Sequence, residues 1–156
     1  MVSEQGLKPT NECEIVSSRV LNFPRELVFQ AFADPKHLAN WWGPKGFMNL
    51  FEKFDFKPGG EWRFVMRGPN GKDFPNHSVF QEISKPNRIV FKHLGTIHPF
   101  QMIMTLDELP GNQTKFQFRM IHETAEECSK VKAFAPQANE QNFDRLESEL
   151  SKMISS

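Results

Sequence analysis

The chain contains no tyrosine, although sixteen Phe and three Trp stand among its 156 residues. Without a phenol the interior lacks the side chain that combines aromatic bulk with a hydrogen-bonding or acid–base tip, which points the aromatic surface toward apolar packing or apolar ligands. Cysteine is almost as scarce. Cys13 and Cys128 are far apart and form no CxxC spacing. With no secretory leader read at the N terminus, they are expected to be reduced structural thiols in a cytoplasmic protein.

An excess of one charge is missing too. Nineteen basic and nineteen acidic side chains cancel, and no run of like sign is long enough to form a footprint for phosphate backbones or anionic lipid. Nucleic acid and membrane surfaces are therefore not expected as partners. No apolar stretch approaches the ~20 residues that cross a bilayer. The Asn76-His77-Ser78 and Asn112-Gln113-Thr114 sequons read as chance matches, because nothing directs export.

Motifs for metal and covalent chemistry are also lacking. His37, His77, His93, His98 and His122 fall on different elements without ligand spacing, and His122-Glu123 is not followed by the second His of a zinc-binding helix. No metal or cofactor is expected. There is no GxSxG elbow, and neither Cys has a basic neighbour in sequence.

What is present is a pair of aromatic turns, Trp41-Trp42-Gly43-Pro44 and Lys57-Pro58-Gly59-Gly60-Glu61-Trp62, in which Gly and Pro fix the backbone around indole rings. They read as the rim of a pocket. The N-terminal residues 1–11 are polar and aperiodic, an expected loose arm ahead of one domain over residues 12–156. From Cys13 to Leu21 the chain alternates as a strand. Pro24 then opens a helix to about Ala33, and a short second helix covers Lys36 to about Asn40.

The period next switches to two. Met48, Leu50, Phe54 and Phe56 share one parity, and Trp62, Phe64 and Met66 form the apolar face of the following strand. Gly68-Pro69-Asn70-Gly71 turns the chain into a strand from about Phe74 to Ile83, and Lys85-Pro86-Asn87 into Arg88 to His93. Phe100, Met102, Met104 and Leu106 alternate with polar residues, as do Phe116, Phe118, Met120 and His122 after Pro110-Gly111-Asn112. Thr124 and Glu127 make a capping box, and Pro136 is expected to break or kink the helix it opens, which continues to about Met153 with Phe143, Leu146 and Leu150 inward. A sheet with one apolar face must be covered once. The expected fold is α+β: a curved antiparallel sheet wrapped around a long C-terminal helix, which alone is large enough to lie across it.

This element order, with Phe32-Ala33-Asp34-Pro35, Trp41-Trp42-Gly43-Pro44, Pro58-Gly59-Gly60, the run from Phe80 to Phe91 and the tail Asn142-Phe143-Asp144-Arg145-Leu146, resembles the AHSA-like family. That family is named for the activator of the heat-shock-protein 90 ATPase and belongs to the START-like (SRPBCC) superfamily. The resemblance spans about Cys13 to Leu150 and implies a helix-grip (START-like, Bet v 1-like) fold with a cavity between sheet and terminal helix. Members bind lipids, polyketides, hormones or antibiotics, and a few are cyclases or aromatases. The family name also implies a co-chaperone role in the stress response, although a chain of this size is not expected to carry the second domain of the eukaryotic activators.

Within such a cavity the expected lining is Trp62, Phe64, Met66, Met102, Met104, Phe118 and Met120 on the sheet, facing Phe134 and Phe143 on the helix. Of Trp41 and Trp42, one packs inward while the other sits at the rim, and Trp42 joins the ligand-binding set. Glu82 and His122 are candidate polar anchors, Glu82 on condition that no bulge reverses its face. Three functions follow. The leading one is non-enzymatic binding of a small apolar or aromatic molecule. The second is docking on a chaperone or other protein through a sheet face or the Trp41-Trp42 loop. The third is a cyclase or aromatase with His122 or Glu82 moving protons. Open sheet edges admit a monomer or a homodimer.

Overall fold

Residues 14–94 and 99–155 are described by a computed structural model. The expected N-terminal arm, Cys13 and His98 lie outside the described residues. Strand β1 (Glu14–Leu21) leads into helices α1 (Arg25–Ala33) and α2 (Pro35–Trp41), followed by β2 (Met48–Phe54), β3 (Glu61–Arg67), β4 (Asp73–Ser84), β5 (Arg88–His93), β6 (Phe100–Leu109) and β7 (Gln113–His122). Helices α3 (Ala125–Lys132) and α4 (Ala135–Ser155) complete the chain. The strands form one antiparallel sheet in the order β1-β7-β6-β5-β4-β3-β2. The α1–α2 segment thus carries the chain from one edge strand to the other, and it must cross the concave face to do so.

Local chemistry sets these boundaries. Asp34 ends α1 and caps α2, its carboxylate accepting from the Lys36 amide at 3.0 Å while Pro35 takes the first helical position. Thr124 caps α3, its hydroxyl accepting from the Glu127 amide at 3.1 Å. The break expected at Pro136 falls earlier, at Ala133 and Phe134. Pro136 is the second residue of α4, where its missing amide hydrogen costs nothing.

Along α4, Phe143, Leu146 and Leu150 are fully buried, each contributing about 1.5–3 kcal/mol in burial. Arg19 on β1 fastens the helix from below, pairing with Glu140, Asp144 and Glu147 while its guanidinium lies 5.5 Å from the Phe143 ring centre. The terminal helix does not cover the sheet alone, however. Phe32 of α1 meets Trp41, Trp42 and Trp62 edge-on at 6.3, 5.8 and 5.5 Å, and α1 and α2 share the inner face of the sheet with the terminal helix, α1 against β6 and β7 and α2 against β2.

Strand β2 corrects the expected parity. Met48 and Leu50 are exposed, and Asn49 and Phe51 face inward, opposite Met66 and Phe64. A bulge between Phe51 and Lys53 then shifts the register so that Phe54 meets Trp62. One extra residue exchanges the two faces, which hydrophobicity alone cannot reveal.

Candidate ligand-binding cavity

The cavity begins where α2 stops. Gly43, at φ +97°, turns the chain immediately after Trp42, a conformation that glycine adopts without a Cβ penalty. Three side chains hold this turn from outside. Asn142 donates to the Trp41 carbonyl at 2.7 Å, and Asn49 donates to the carbonyls of Ala39 and Trp42 at 3.0 and 2.8 Å. Arg145 spreads its guanidinium over the carbonyls of Asn40, Trp42, Gly43, Pro44 and Phe47 at 2.9–3.1 Å. Burial lowers the Arg145 pKa from its ordinary value, yet these oxygens at the end of α2 supply the negative potential that keeps the charge. Trp41, fully buried, donates its indole N–H to the Ala31 carbonyl at 3.0 Å.

Held in this way, Trp42 turns inward as well. Its ring centre lies 5.2 Å from Trp62, 5.7 Å from Phe118 and 6.1 Å from Phe91. Neither member of the Trp pair therefore stands at an exposed rim: Trp41 is core and Trp42 is cavity wall. Trp62 stacks on Phe64 at 4.5 Å and on Phe80 at 6.0 Å, so the wall is a rigid aromatic lattice.

Between this lattice and α4 lies a cavity of about 410 Å³, partly open to solvent. Its buried end is formed by Trp42, Trp62, Phe64, Phe91, Met102 and Phe118, with Met120 and His122 beside them. Val131, Ala135, Asn139 and Asn142 close it from the helices. Phe47, Met66, His93 and Phe100 are half-buried and Phe134 is exposed, so they mark the mouth. Among the described residues no Lys, Arg, Asp or Glu lines it.

The polar groups are few and specifically placed. Asn139 donates to the Ser17 hydroxyl at 3.0 Å and lies 3.6 Å from the Met120 sulfur. His93 and His122 flank the Phe100 ring at 5.1 and 5.5 Å. Burial, with His77 nearby, pushes the His93 imidazole down to about 4, so it is neutral at neutral pH.

Nine of the twelve residues read from sequence meet at this cavity: Trp42, Trp62, Phe64, Met66, Met102, Phe118, Met120, His122 and Phe134. The other three do not. Met104 is buried in the core toward α1. Phe143 packs behind the wall, 5.7 and 4.9 Å from Phe116 and Phe118. Glu82 sits beyond a bulge between Phe80 and Glu82, where it accepts from the Ser84 hydroxyl at 2.9 Å and the Arg88 guanidinium at 3.2 Å. That bulge is the physical reason it turns from the cavity.

Sequence reasoning missed Ser78, Phe91, His93, Asn139, Asn142 and Arg145. Ser78 shares the parity of Phe80, and His93 that of Phe91, so their inward direction was readable. Asn139 and Asn142 fall on the helical stripe of Phe143 and Leu146. Nothing in the sequence pairs Arg145 with the Trp42 turn.

A family model described as "Activator of Hsp90 ATPase homolog 1-like protein" matches residues 22–151. No curated protein matches the chain. Among solved structures, a protein from Nitrosomonas europaea superposes with a TM-score of 0.84 at 22% identity, covering 94% of this chain and 99% of its own. A protein from Arthrobacter aurescens gives 0.84 at 20% identity, covering 93% and 90%, and one from Rhodobacter sphaeroides gives 0.82 at 20%, covering 93% and 96%. These likenesses bear on the fold, which is the helix-grip α+β fold expected above.

Proposed function

The chain belongs to the family of Activator of Hsp90 ATPase homolog 1-like proteins, and from that premise we propose that it binds a small apolar or aromatic molecule between its sheet and α4 without transforming it. The observation that carries this reading is the cavity of about 410 Å³ walled by Trp42, Trp62, Phe64, Phe91 and Phe118. Sealed and dry, a hollow of that size would forgo about 10 kcal/mol on the scale of cavity-creating mutations, as much as a whole domain's stability. Being partly open, it sets water against aromatic walls instead, and an apolar guest that displaces this water gains free energy. Met66, Met102 and Met120 add a thioether surface that repacks around different shapes.

Thermal denaturation against fatty acids, sterols, flavonoids and polyketide-like aromatics tests it. A ligand at a hundred times its Kd adds ~2.7 kcal/mol, a rise in Tm of roughly 5–10 °C for a domain of this size. A flat response across all four classes from folded protein would remove the reading.

A second reading, docking on a chaperone of the heat-shock-protein 90 type, draws on the family description and on edge residues Val16, Val20, Met48 and Leu50, which are exposed on β1 and β2. It requires that the protein stimulate such a chaperone's ATPase and that Val20→Lys or Leu50→Lys abolish the stimulation; an unchanged ATPase rate would refute it.

A further inference from the structure

Strand register places Trp62 of β3, Ser78 of β4, His93 of β5, Phe100 of β6 and His122 of β7 in one lateral row across the inner face of the sheet. All five line the cavity. At the β3–β5 end of the row, an indole N–H, a hydroxyl and an imidazole follow one another on directly paired residues.

These groups sit in a place that polar side chains rarely occupy without partners. Ser78 is 2% exposed and lines the cavity. The Trp62 indole N–H is buried and has no acceptor there. His93, half-buried, lies 5.1 Å from the Phe100 ring centre and lines the same cavity. Phe64, Phe91, Met102 and Phe118 line the same cavity with carbon and sulfur. Packing and register account for the direction of Ser78 and His93, but an apolar residue at either position would satisfy both more cheaply.

We propose that Ser78, His93 and Trp62 form a polar subsite that receives an uncharged oxygen substituent, a hydroxyl or a carbonyl, of an aromatic ligand, and that the cavity discriminates against carboxylates. The inference rests on the cavity reading above and specifies its ligand class.

The discrimination follows from what surrounds the subsite. A carboxylate entering it would leave water for a wall without a cationic side chain among the described residues, and such a transfer is strongly unfavourable without a counter-charge. Arg145 offers none, because its guanidinium is spread over five backbone carbonyls. A neutral imidazole and a hydroxyl can each donate and accept, so either a phenol or a ketone finds a complementary partner. The aromatic body follows from the stacked Trp62–Phe64 pair and the edge-on Trp42 at the same end.

Three probes of one ring size separate these claims: naphthalene, 2-naphthol and 2-naphthoate, titrated at pH 7 with binding followed by amide and imidazole NMR shifts. The expected order has 2-naphthol about 5–10-fold tighter than naphthalene, the value of one net hydrogen bond, with 2-naphthoate at least about tenfold weaker than 2-naphthol. The His93 ring resonances are expected to move with 2-naphthol and not with naphthalene. Ser78→Ala and His93→Phe together should erase the preference for 2-naphthol over naphthalene. If that pair unfolds the protein, Ser78→Ala alone, which deletes one hydroxyl, should still halve the preference or better. Naphthalene and 2-naphthol binding equally, 2-naphthoate binding tightest, or a preference that survives both substitutions would overturn the subsite while leaving the cavity reading intact. Failure of all three probes to bind would overturn both.

Discussion

The Arg145 guanidinium donates to the Trp42 carbonyl at 3.0 Å and to four further carbonyls around it, so one side chain of α4 sets the position of the cavity wall. An ammonium cannot reproduce this fan of donors, because it presents a point charge on a flexible stem. Arg145→Lys should therefore leave several half-buried carbonyls without partners and lower stability by about 2–3 kcal/mol. Urea denaturation followed by tryptophan fluorescence measures the loss. A red-shifted native spectrum is also expected, since Trp42 would gain contact with water.

Two glycines separate steric from conformational necessity. A Cβ on Gly60 would stand 2.0 Å from the Asp55 backbone oxygen, in a turn stitched to β4 by Gly59 N–H to Phe80 and Phe80 N–H to Gly60 at 2.7 and 3.0 Å. Neither partner can move without breaking the turn. Gly60→Ala should cost at least about 3 kcal/mol. Gly71 has φ +85° but nothing within 4 Å of the same position, so Gly71→Ala should cost only the left-handed penalty, about 1–2 kcal/mol. Equal melting temperatures for the two variants would contradict this account.

The contrast between these sites and β2 explains how far the sequence could be read. Strands β6 and β7 keep strict alternation, Phe100 to Leu106 against Phe116 to His122, and their register follows from it. The cavity wall was legible for the same reason, because Trp62, Phe64, Met102, Phe118 and Met120 sit on unbroken pleats. At Glu52 and Gln81 a single extra residue inverts the pleat, so Met48 and Leu50 do not share the face of Phe54, and Glu82 leaves the face of Phe80. A bulge leaves no hydrophobic signature when both faces of the strand carry apolar residues, as in Met48–Phe54. Arg145 was illegible for another reason. Its partners are backbone oxygens, and backbone acceptors are the same in every sequence.

His93 should give the stability curve a recognisable acid limb. Its ordinary value is 6.5 and burial, with His77 adding to it, holds the folded state at about 4. Between these values the unfolded chain binds the proton and the folded protein does not, so stability is complete above 6.5 and is lost as pH falls toward 4. The slope contributed by this group is up to about 1.4 kcal/mol per pH unit. His93→Phe should flatten the curve in that window. Glu61 acts lower: bonds from Lys53 and Arg63 bring its carboxyl to about 2 from 4.5, so its contribution holds above 4.5 and fades below it. Glu61→Gln should alter only that lower limb, which chemical denaturation at half-unit pH steps resolves.

Filling the cavity distinguishes a binding site from a packing fault more directly than enlarging it. Ala138 lies on α4 and lines the hollow, half-buried, while its neighbour Gln137 faces solvent. An indole placed at Ala138 can fold into the cavity against Trp42 and Phe134 without displacing a core residue, and the helix-propensity cost of the exchange is a few tenths of a kcal/mol. Ala138→Trp should therefore melt at or above the parent temperature, since apolar surface is buried where water stood. It should also lose the Tm rise produced by any cavity ligand, whereas Gln137→Trp, with the same added bulk on the solvent side, keeps it. If Ala138→Trp retained full ligand-induced stabilisation, the ligand would be binding elsewhere on the molecule; if Ala138→Trp were destabilised by several kcal/mol, the space would not be available to a guest of that size.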